Sequence, residues 1–195
     1  MFNNKIDKNI IDLLNLISSS RFNTYLVGGC VRDIILGYTP KDLDILVEDE
    51  IDEFAIFLST SLNSKVIKFQ NHGFETFRII NTKTKVNIDI TKYSNGNDGL
   101  LNDLSMRDFT INSMAISLNE GQFDFNDIVD PFRGLEDLNN NLIRYISEDS
   151  VLLDPLRLLR SVRLSSKLNF NIEENTKKYF MINSEKINIV SHERI

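Results

Sequence analysis

The sequence has 195 residues, of which 42% are hydrophobic and 26% are charged, with a formal net charge of −6. This balance is ordinary for a folded globular protein and argues against a disordered or membrane-embedded chain. One cysteine and two histidines exclude an internal disulfide and a cysteine-rich zinc site, so a metal would need hard oxygen ligands. Because no segment has the pattern of a signal peptide or the ~20 apolar residues of a membrane span, we predict a cytoplasmic protein.

The N-terminal segments alternate between helical and strand-like patterns. Residues 5–17 recur apolar at helical spacing, and YLV (25–27) and DLDILV (42–47) read as short strands. Between those strands, a Gly-Gly turn opens a helix over residues 30–36 that ends at Gly37. The next amphipathic helix is predicted within residues 48–63.

The remaining segments complete a mixed sheet with helices. Strand-like runs are KVIKF (65–69), ETFRIIN (75–81) and KVNIDIT (85–91). Residues 105–118 read as helix then strand, and residues 130–141 read as a turn-rich loop. Residues 150–195 read as helix throughout. We place a domain boundary near Ser147, which gives an α+β domain over residues 1–146 and a helical domain over residues 147–195.

Two aspartates interrupt the apolar run DLDILV. Side chains alternate along a strand, so Asp42 and Asp44 share one face while Leu43 and Ile45 face the core. The same alternation puts Asp89 opposite its apolar neighbours, where it could join the pair from another strand. Clustered carboxylates without His or Cys suit Mg²⁺, and two such ions can activate an attacking hydroxyl and stabilise a leaving pyrophosphate. The alternative is a charged edge strand that resists aggregation.

The Gly-Gly turn suggests a phosphate cradle. Gly28 and Gly29 allow close backbone approach, and the helix that follows offers free N–H groups. Arg32, in the first turn of that helix, is better explained by an anion that it reaches than by the helix dipole. The alternative is a simple tight turn.

Arginines recur every third residue in SVLLDPLRLLRSVRLSS. In this segment Leu152, Leu156, Leu159 and Val162 mark the expected core side. Arg163 falls among them, so we expect it to be buried and to need a carboxylate or a ligand. Asp154 and Arg157 together present acceptors and donors that can read the edge of a base, or they form an ordinary salt bridge within the helix.

Taken in order, these motifs resemble the class II tRNA nucleotidyltransferases (CCA-adding enzymes) and the bacterial poly(A) polymerases. LVGGCVRD followed by DLD is similar to family motif A, and MRDFTIN to motif B, R-R-D-x-x-x-N. DPFRGLEDL is similar to the flexible-loop motif, LDPLR to the base-reading motif E-D-x-x-R, and SHERI to the helix-stabilising motif S-x-E-R-I. The resemblance spans roughly residues 24–195.

The resemblance implies a polymerase-β-like nucleotidyltransferase head, over residues 1–146, followed by an all-helical neck, over residues 147–195. It implies that the family's body and tail, which grip tRNA, are absent from this chain. Carried over by position, it implies these roles: Asp42 and Asp44 as catalytic metal ligands, Asp89 as a third catalytic carboxylate, and Gly28, Gly29, Arg32, Arg107, Asp108, Asn112, Asp154, Arg157, Arg160 and Arg163 as nucleotide-binding residues.

Three positions depart from the family pattern. Met106 stands where the family usually has the first arginine of motif B, and Leu153 stands where it has the glutamate before the base-reading aspartate. Ser94 stands where related chains often have an arginine. The first two changes could loosen nucleotide binding or base choice.

The predicted function is therefore a Mg²⁺-dependent, template-independent enzyme that adds C and/or A to the 3′ end of tRNA from CTP and ATP. Alternatives of the same class are a poly(A) polymerase and an enzyme that adds only C or only A. The alternative of another class is a non-catalytic module that binds nucleotide or RNA.

Overall fold

A computed structural model describes residues 6–71, 74–93, 99–119 and 121–190. The chain divides into two compact units, the first made of Met1–Asp103 and Met114–Val129, the second of Leu104–Ser113 and Asp130–Ile195. The boundary predicted near Ser147 lies inside the second unit and stays a prediction. Ser94 and the SHERI segment, both singled out in the sequence, lie outside the described residues.

A seven-stranded mixed sheet forms the first unit. Its strands are β1 (Thr24–Val27), β2 (Asp42–Val47), β3 (Lys65–Asn71), β4 (Phe74–Ile80), β5 (Asn87–Lys92), β6 (Ala115–Ser117) and β7 (Ile128–Val129). Their spatial order is β3-β4-β5-β2-β1-β6-β7, and β2 pairs with β5 in parallel while the other neighbours are antiparallel. The mixed sheet that the sequence predicted is confirmed.

Three helices accompany this sheet: α1 (Lys8–Ser18), α2 (Gly29–Ile35) and α3 (Ile51–Ser61). Asp7 begins α1 by accepting a hydrogen bond from the backbone N–H of Asn9 at 2.7 Å. Apolar residues then recur at helical spacing and are buried: Ile10, Leu13, Leu14 and Ile17. Helix α2 contacts β1 and β2, and α3 packs on β3, β4 and β5. The predicted flanking helices are therefore confirmed.

The central strands alternate as the sequence predicted. Leu43 and Ile45 on β2 are buried, as are Ile88 and Ile90 on β5. Each such fully buried aliphatic side chain stabilises the fold by ~1.5–3 kcal/mol. The intervening polar residues of both strands therefore share the opposite face of the sheet.

The second unit is mostly helical. After α4 (Gly99–Ser105), which runs from the first unit into the second, come a short 3₁₀ helix (Thr110–Asn112), α5 (Gly134–Asn139), β8 (Leu142–Ile143), α6 (Glu148–Leu153), α7 (Leu156–Leu168), β9 (Asn171–Ile172), α8 (Glu174–Ile182) and a second 3₁₀ helix (Ser184–Ile189). Its buried apolar residues include Phe109, Ile111, Leu138, Ile143, Val151, Leu158, Leu168, Phe170 and Phe180. Within residues 105–118, predicted as helix then strand, the structure has the 3₁₀ helix Thr110–Asn112 and then β6, because α4 already ends at Ser105.

The prediction that residues 150–195 are helical throughout is wrong. Strand β9 pairs in parallel with β8, so the helical domain is not all-helical. Asn169 adopts the left-handed conformation, with φ 56°, and ends α7. The chain then extends, and the backbone N–H of Asn171 donates to the carbonyl of Asn141 at 2.9 Å.

The predicted core side of the arginine-rich helix is also wrong. The residues that α7 buries are Leu158, Ser161 and Leu168, whereas Leu152, Leu159 and Val162 are exposed and Leu156 is half-buried. Arg163 is exposed, not buried. The extended backbone at Asp154 separates Leu152, which lies in α6, from the other three residues, and α7 buries the face that carries Leu158 and Ser161 instead of the one that carries Leu159 and Val162.

Across the part of the chain that the structure describes, no helix has the length and apolar character needed to cross a membrane. The cytoplasmic location stays a prediction.

Candidate active site

The glycine turn lies beside the aspartates in the first unit. Val27, the last residue of β1, pairs with Asp44 of β2, and Gly28 follows it directly. Gly28 has φ 82° and ψ −145°, a conformation that only glycine adopts readily. Its N–H donates to the carbonyl of Met114 at 3.2 Å. The turn is therefore fixed next to the carboxylate-bearing end of β2.

Arg32 folds back over Gly29. A Cβ at Gly29 would lie 3.3 Å from Nη2 of Arg32, so the guanidinium would have to shift by a few tenths of an ångström. Arg32 is only 5% exposed and donates from Nε and Nη2 to Oδ1 of Asp33, at 2.8 and 2.6 Å. The predicted role of Arg32 in phosphate binding stays a prediction.

The aspartate pair lies on a central strand. Strand β2 is flanked by β5 and β1, which rules out the charged edge strand considered from the sequence. Asp42 is exposed and accepts a hydrogen bond from Nδ2 of Asn87 at 3.0 Å, while Asp44 is half-buried. The two carboxylates share one face of the strand, and two like charges this close repel each other, a cost that a divalent cation removes.

Asp89 lies next to the pair but is held by an arginine. In the parallel register Asp89 is directly opposite Asp44. Both of its oxygens accept hydrogen bonds from Arg78, from Nε at 2.7 Å and from Nη2 at 2.5 Å. The hydrogen bonds to Asp89 raise the pKa of Arg78 despite partial burial, and the charges of Asp42 and Asp44 add to the effect.

The sequence analysis missed Arg78. The available signal was a single charged residue in the apolar run FRII of β4. Its pairing with Asp89 depends on the register between β4 and β5, which the sequence does not show.

The donor set fits Mg²⁺ through two carboxylates. No group of three or more His, Cys, Asp or Glu side chains suited to a metal occurs in the described residues. Mg²⁺ is commonly held by one or two carboxylates and completes its shell with water and substrate phosphates. Asp42 and Asp44 are therefore the residues that could hold it, and Asp89 is engaged elsewhere.

In the second unit, Asp108 is the centre of a buried polar cluster. Its Oδ1 accepts from the N–H of Phe109 and from Nδ2 of Asn112, both at 2.9 Å, and its Oδ2 accepts from Nε of Arg160 at 2.9 Å. Burial by itself would raise the pKa of Asp108, but the charge of Arg160 and these hydrogen bonds outweigh it and lower the pKa. The cluster brings together three predicted nucleotide-binding residues, and it uses both oxygens of Asp108 internally.

The predicted base-reading pair lies at the start of α7. Oδ1 of Asp154 accepts from the N–H of Leu156 at 3.2 Å, which helps to begin the helix. Arg157 donates to the carbonyls of Arg107 and Met106, at 2.7 and 2.5 Å. Burial is the main cause that lowers the pKa of Arg157. The replacement at Met106 keeps this contact, because the contact uses the backbone.

Two aspartates of the DPFRGLEDL segment were not singled out in the sequence. Asp130 accepts from the N–H groups of Gly134 and Leu135, at 2.7 and 2.9 Å, and so supports the start of α5. The buried Asp137 accepts from Oγ1 of Thr110 at 2.6 Å and forms an ion pair with Arg144 at 3.0 Å. This segment therefore has a clear structural role within the second unit.

Comparisons with known proteins show the family to which this chain is similar. A family model, the poly A polymerase head domain, matches residues 24–144. The A-adding tRNA nucleotidyltransferase of Halalkalibacterium halodurans is 33% identical over 194 residues, covering 86% of this chain and 45% of its own length. The CCA-adding enzyme of Lactobacillus helveticus is 34% identical, covering 94% and 46%. The CC-adding tRNA nucleotidyltransferase of H. halodurans is 34% identical, covering 84% and 40%.

Solved structures of CCA-adding enzymes are also similar to this chain. A complex of a CCA-adding enzyme with ATP is similar with a TM-score of 0.80 and 34% identity, covering 93% of this chain and 43% of that one. The Thermotoga maritima CCA-adding enzyme complexed with tRNA is similar with a TM-score of 0.78 and 33% identity, covering 93% and 43%. The chain thus spans a little under half the length of these relatives.

Proposed function

Because the chain belongs to the family of CCA-adding enzymes and bacterial poly(A) polymerases, with their head domain, we propose that it adds C and/or A to the 3′ end of tRNA. CTP and ATP are the substrates, pyrophosphate is released, and no nucleic-acid template is used. The observation that carries this proposal is the pair Asp42 and Asp44 on a central strand, beside the glycine turn at Gly28. Two like charges on one face of a strand repel each other, and a divalent cation bound between them removes that cost.

In this proposal the first unit handles the triphosphate and the metal. Nucleotidyltransferases of this kind generally use divalent metals, and Asp42 and Asp44 would hold Mg²⁺. The chemistry that Mg²⁺ would supply there is a lower pKa of the attacking 3′ hydroxyl and compensation of the negative charge of the leaving pyrophosphate. Gly28 and Gly29 allow the triphosphate to approach the backbone closely, and Arg32 supplies positive charge near it.

The second unit would select the nucleotide. Asp154 and Arg157 are proposed to read the base from the start of α7, and Arg107, Asn112, Arg160 and Arg163 to contact the nucleotide. The buried carboxylate of Asp108 acts through Arg160, which it holds by a hydrogen bond from Nε and an ion pair with Nη2. We therefore assign Asp108 a positioning role.

A second candidate is partial addition, either of C alone or of the terminal A alone. It is favoured by the names of the relatives, because A-adding, CC-adding and CCA-adding enzymes match this chain at nearly equal identity. The choice among these activities has to come from nucleotide competition on defined RNA ends.

The test is incorporation of radiolabelled CTP and ATP, with MgCl₂, into tRNAs that end before C, after C and after CC, with a generic RNA alongside. We expect incorporation into tRNA, pyrophosphate release, and a loss of at least ~10³-fold in rate for Asp42→Ala, because a metal ligand is removed. The matched control is Asp12→Ala, which removes an exposed aspartate on α1 and is expected to keep the wild-type rate.

The pattern of products separates the alternatives. Addition confined to the tRNA that ends after CC assigns A-addition, and long A tails on generic RNA assign a poly(A) polymerase. No transfer to any RNA, or a wild-type rate in Asp42→Ala, would contradict catalysis at this site and favour a module that only binds nucleotide or RNA.

A further inference from the structure

We propose that Arg78 is a positioning residue that withholds Asp89 from the metal site, so that the protein alone holds its cation through Asp42 and Asp44 only. The inference rests on the proposed metal-dependent function and names a residue that sets the affinity of that site. Its effect is exerted through Asp89.

The sheet register places three charged residues in one row. Arg78 on β4 is opposite Asp89 on β5, and Asp89 is opposite Asp44 on β2. Residues opposite each other in neighbouring strands point to the same face of the sheet, and the strands are about 4.8 Å apart. Asp89 is therefore placed where it could act as a third ligand beside Asp44.

Arg78 occupies the carboxylate that would serve as that ligand. Its Nε and Nη2 bind one oxygen each, at 2.7 and 2.5 Å, in the bidentate geometry that makes arginine pairs strong. The Asp89 side chain is only 19% exposed, so little water competes for it. A metal can use Asp89 only if this pair breaks.

The guanidinium is also held from β3. Cζ of Arg78 lies 5.9 Å from the centroid of the Phe69 ring, within the range of a cation–π contact. Arg78 is thus fixed between an aromatic ring and a carboxylate. Such an arrangement is pre-formed, since it needs no bound ligand to orient the side chain.

The charges of these aspartates and of Arg78 explain why loss of Arg78 should strengthen metal binding. Asp42, Asp44 and Asp89 would together carry three negative charges, and Arg78 compensates one of them within the sheet. The positive charge of Arg78 also lies close enough to Asp42 and Asp44 that both of them raise its pKa. Removing Arg78 therefore frees a ligand and removes a repelling charge, and both changes favour a divalent cation.

The experiment measures binding of Mn²⁺ alone, from the electron paramagnetic resonance signal of the free ion, to the full protein without nucleotide. We expect Arg78→Met to bind Mn²⁺ at least about tenfold more tightly than wild type. Arg78→Lys should be intermediate, because lysine keeps the charge but loses the bidentate geometry. Asp89→Asn should weaken binding several-fold, because the charge of Arg78 is left uncompensated beside Asp44.

The double variant Arg78→Met, Asp89→Asn tests whether the effect acts through Asp89, and it is expected to lose most of the gain. Lys68→Met is the matched control: Lys68 pairs with Phe77, the residue before Arg78 on β4, so it lies on the opposite face of the sheet. This control removes the same charge and should leave the Mn²⁺ affinity unchanged. Equal affinity of Arg78→Met and wild type, or a gain that the double variant retains in full, would overturn the inference.

Its failure can be told apart from failure of the proposed function. If Asp42→Ala abolishes Mn²⁺ binding while every Arg78 variant binds like wild type, the inference is wrong and the metal site stands. If the Arg78 variants bind more tightly but no RNA is extended by the wild-type protein, the inference stands and the proposed function is wrong.

Discussion

Replacing Arg160 by methionine tests the buried cluster around Asp108. Arg160 donates from Nε to Oδ2 of Asp108 at 2.9 Å, and its Nη2 forms an ion pair with the same oxygen at 2.7 Å. The Asp108 side chain is 7% exposed and that of Arg160 is 60% exposed. The substitution therefore removes the exposed partner and leaves a buried carboxylate whose charge is no longer compensated.

The expected loss of stability follows from this difference in exposure between Asp108 and Arg160. Breaking a fully buried ion pair costs about 3–5 kcal/mol, and a hydrogen bond to a charged group contributes about 1.5–3 kcal/mol. Arg160 is partly solvated, and Asp108 keeps its hydrogen bonds from Phe109 and Asn112. We therefore expect a loss smaller than that for a fully buried ion pair and close to the contribution of a hydrogen bond to a charged group. Arg160→Met should lower the free energy of unfolding by ~2–3 kcal/mol near neutral pH.

The direction in which this loss of stability changes with pH follows from the pKa of Asp108. In the wild type the pKa of Asp108 is lowered, so its stabilising effect is present above the ordinary carboxyl pKa of about 3.9 and is lost as the pH falls through the lowered value. Without Arg160, burial raises this pKa, and protonation relieves the penalty. The difference in stability between wild type and Arg160→Met should therefore narrow as the pH falls toward about 4.

Urea unfolding followed by circular dichroism measures both quantities. The control is Arg163→Met, which makes the same substitution at an exposed position of the same helix and should change stability by less than about 0.5 kcal/mol. Wild-type stability in Arg160→Met near neutral pH, or a difference that does not change with pH, would refute the reasoning.

Three further predictions concern other positions. Thr110→Val should lower the free energy of unfolding by ~1–2 kcal/mol in urea, because it leaves the buried Asp137 without its 2.6 Å hydrogen bond from Oγ1; unchanged stability would contradict this. Gly29→Ala should weaken ATP and CTP binding in calorimetry, because the new Cβ would lie 3.3 Å from Nη2 of Arg32 and shift the guanidinium by a few tenths of an ångström; wild-type affinity would argue against a role of Arg32 in binding. Burial, with a contribution from Glu48, raises the pKa of Tyr93 to about 12, so Tyr93 should be the last tyrosine to ionise in an ultraviolet titration. This last ionisation should be absent from the titration of Tyr93→Phe. Because an unfolded tyrosine ionises at about pH 10, the stability that Tyr93 contributes is present below that pH and is lost toward pH 12.

Local patterns in the sequence were enough to predict the strands, the glycine turn and the shared face of Asp42 and Asp44. Side-chain alternation along a strand follows from backbone geometry, so the faces of Leu43 and Ile45 could be assigned without knowing any partner strand. Alternation does not say where a strand lies in its sheet. Only the structure shows that β2 is central, which excludes an edge strand.

The tertiary structure decided what depends on register and phase. Arg78 and Asp89 pair because β4 and β5 align in one register, and a shift by one residue would send Arg78 to the other face. Likewise, packing decides which face of α7 is buried: Leu158 and Ser161 are buried, whereas Arg163 is exposed. The sequence alone determined which residues could carry the chemistry, because periodicity is local. Which of those carboxylates remain available to a metal was decided by long-range pairing.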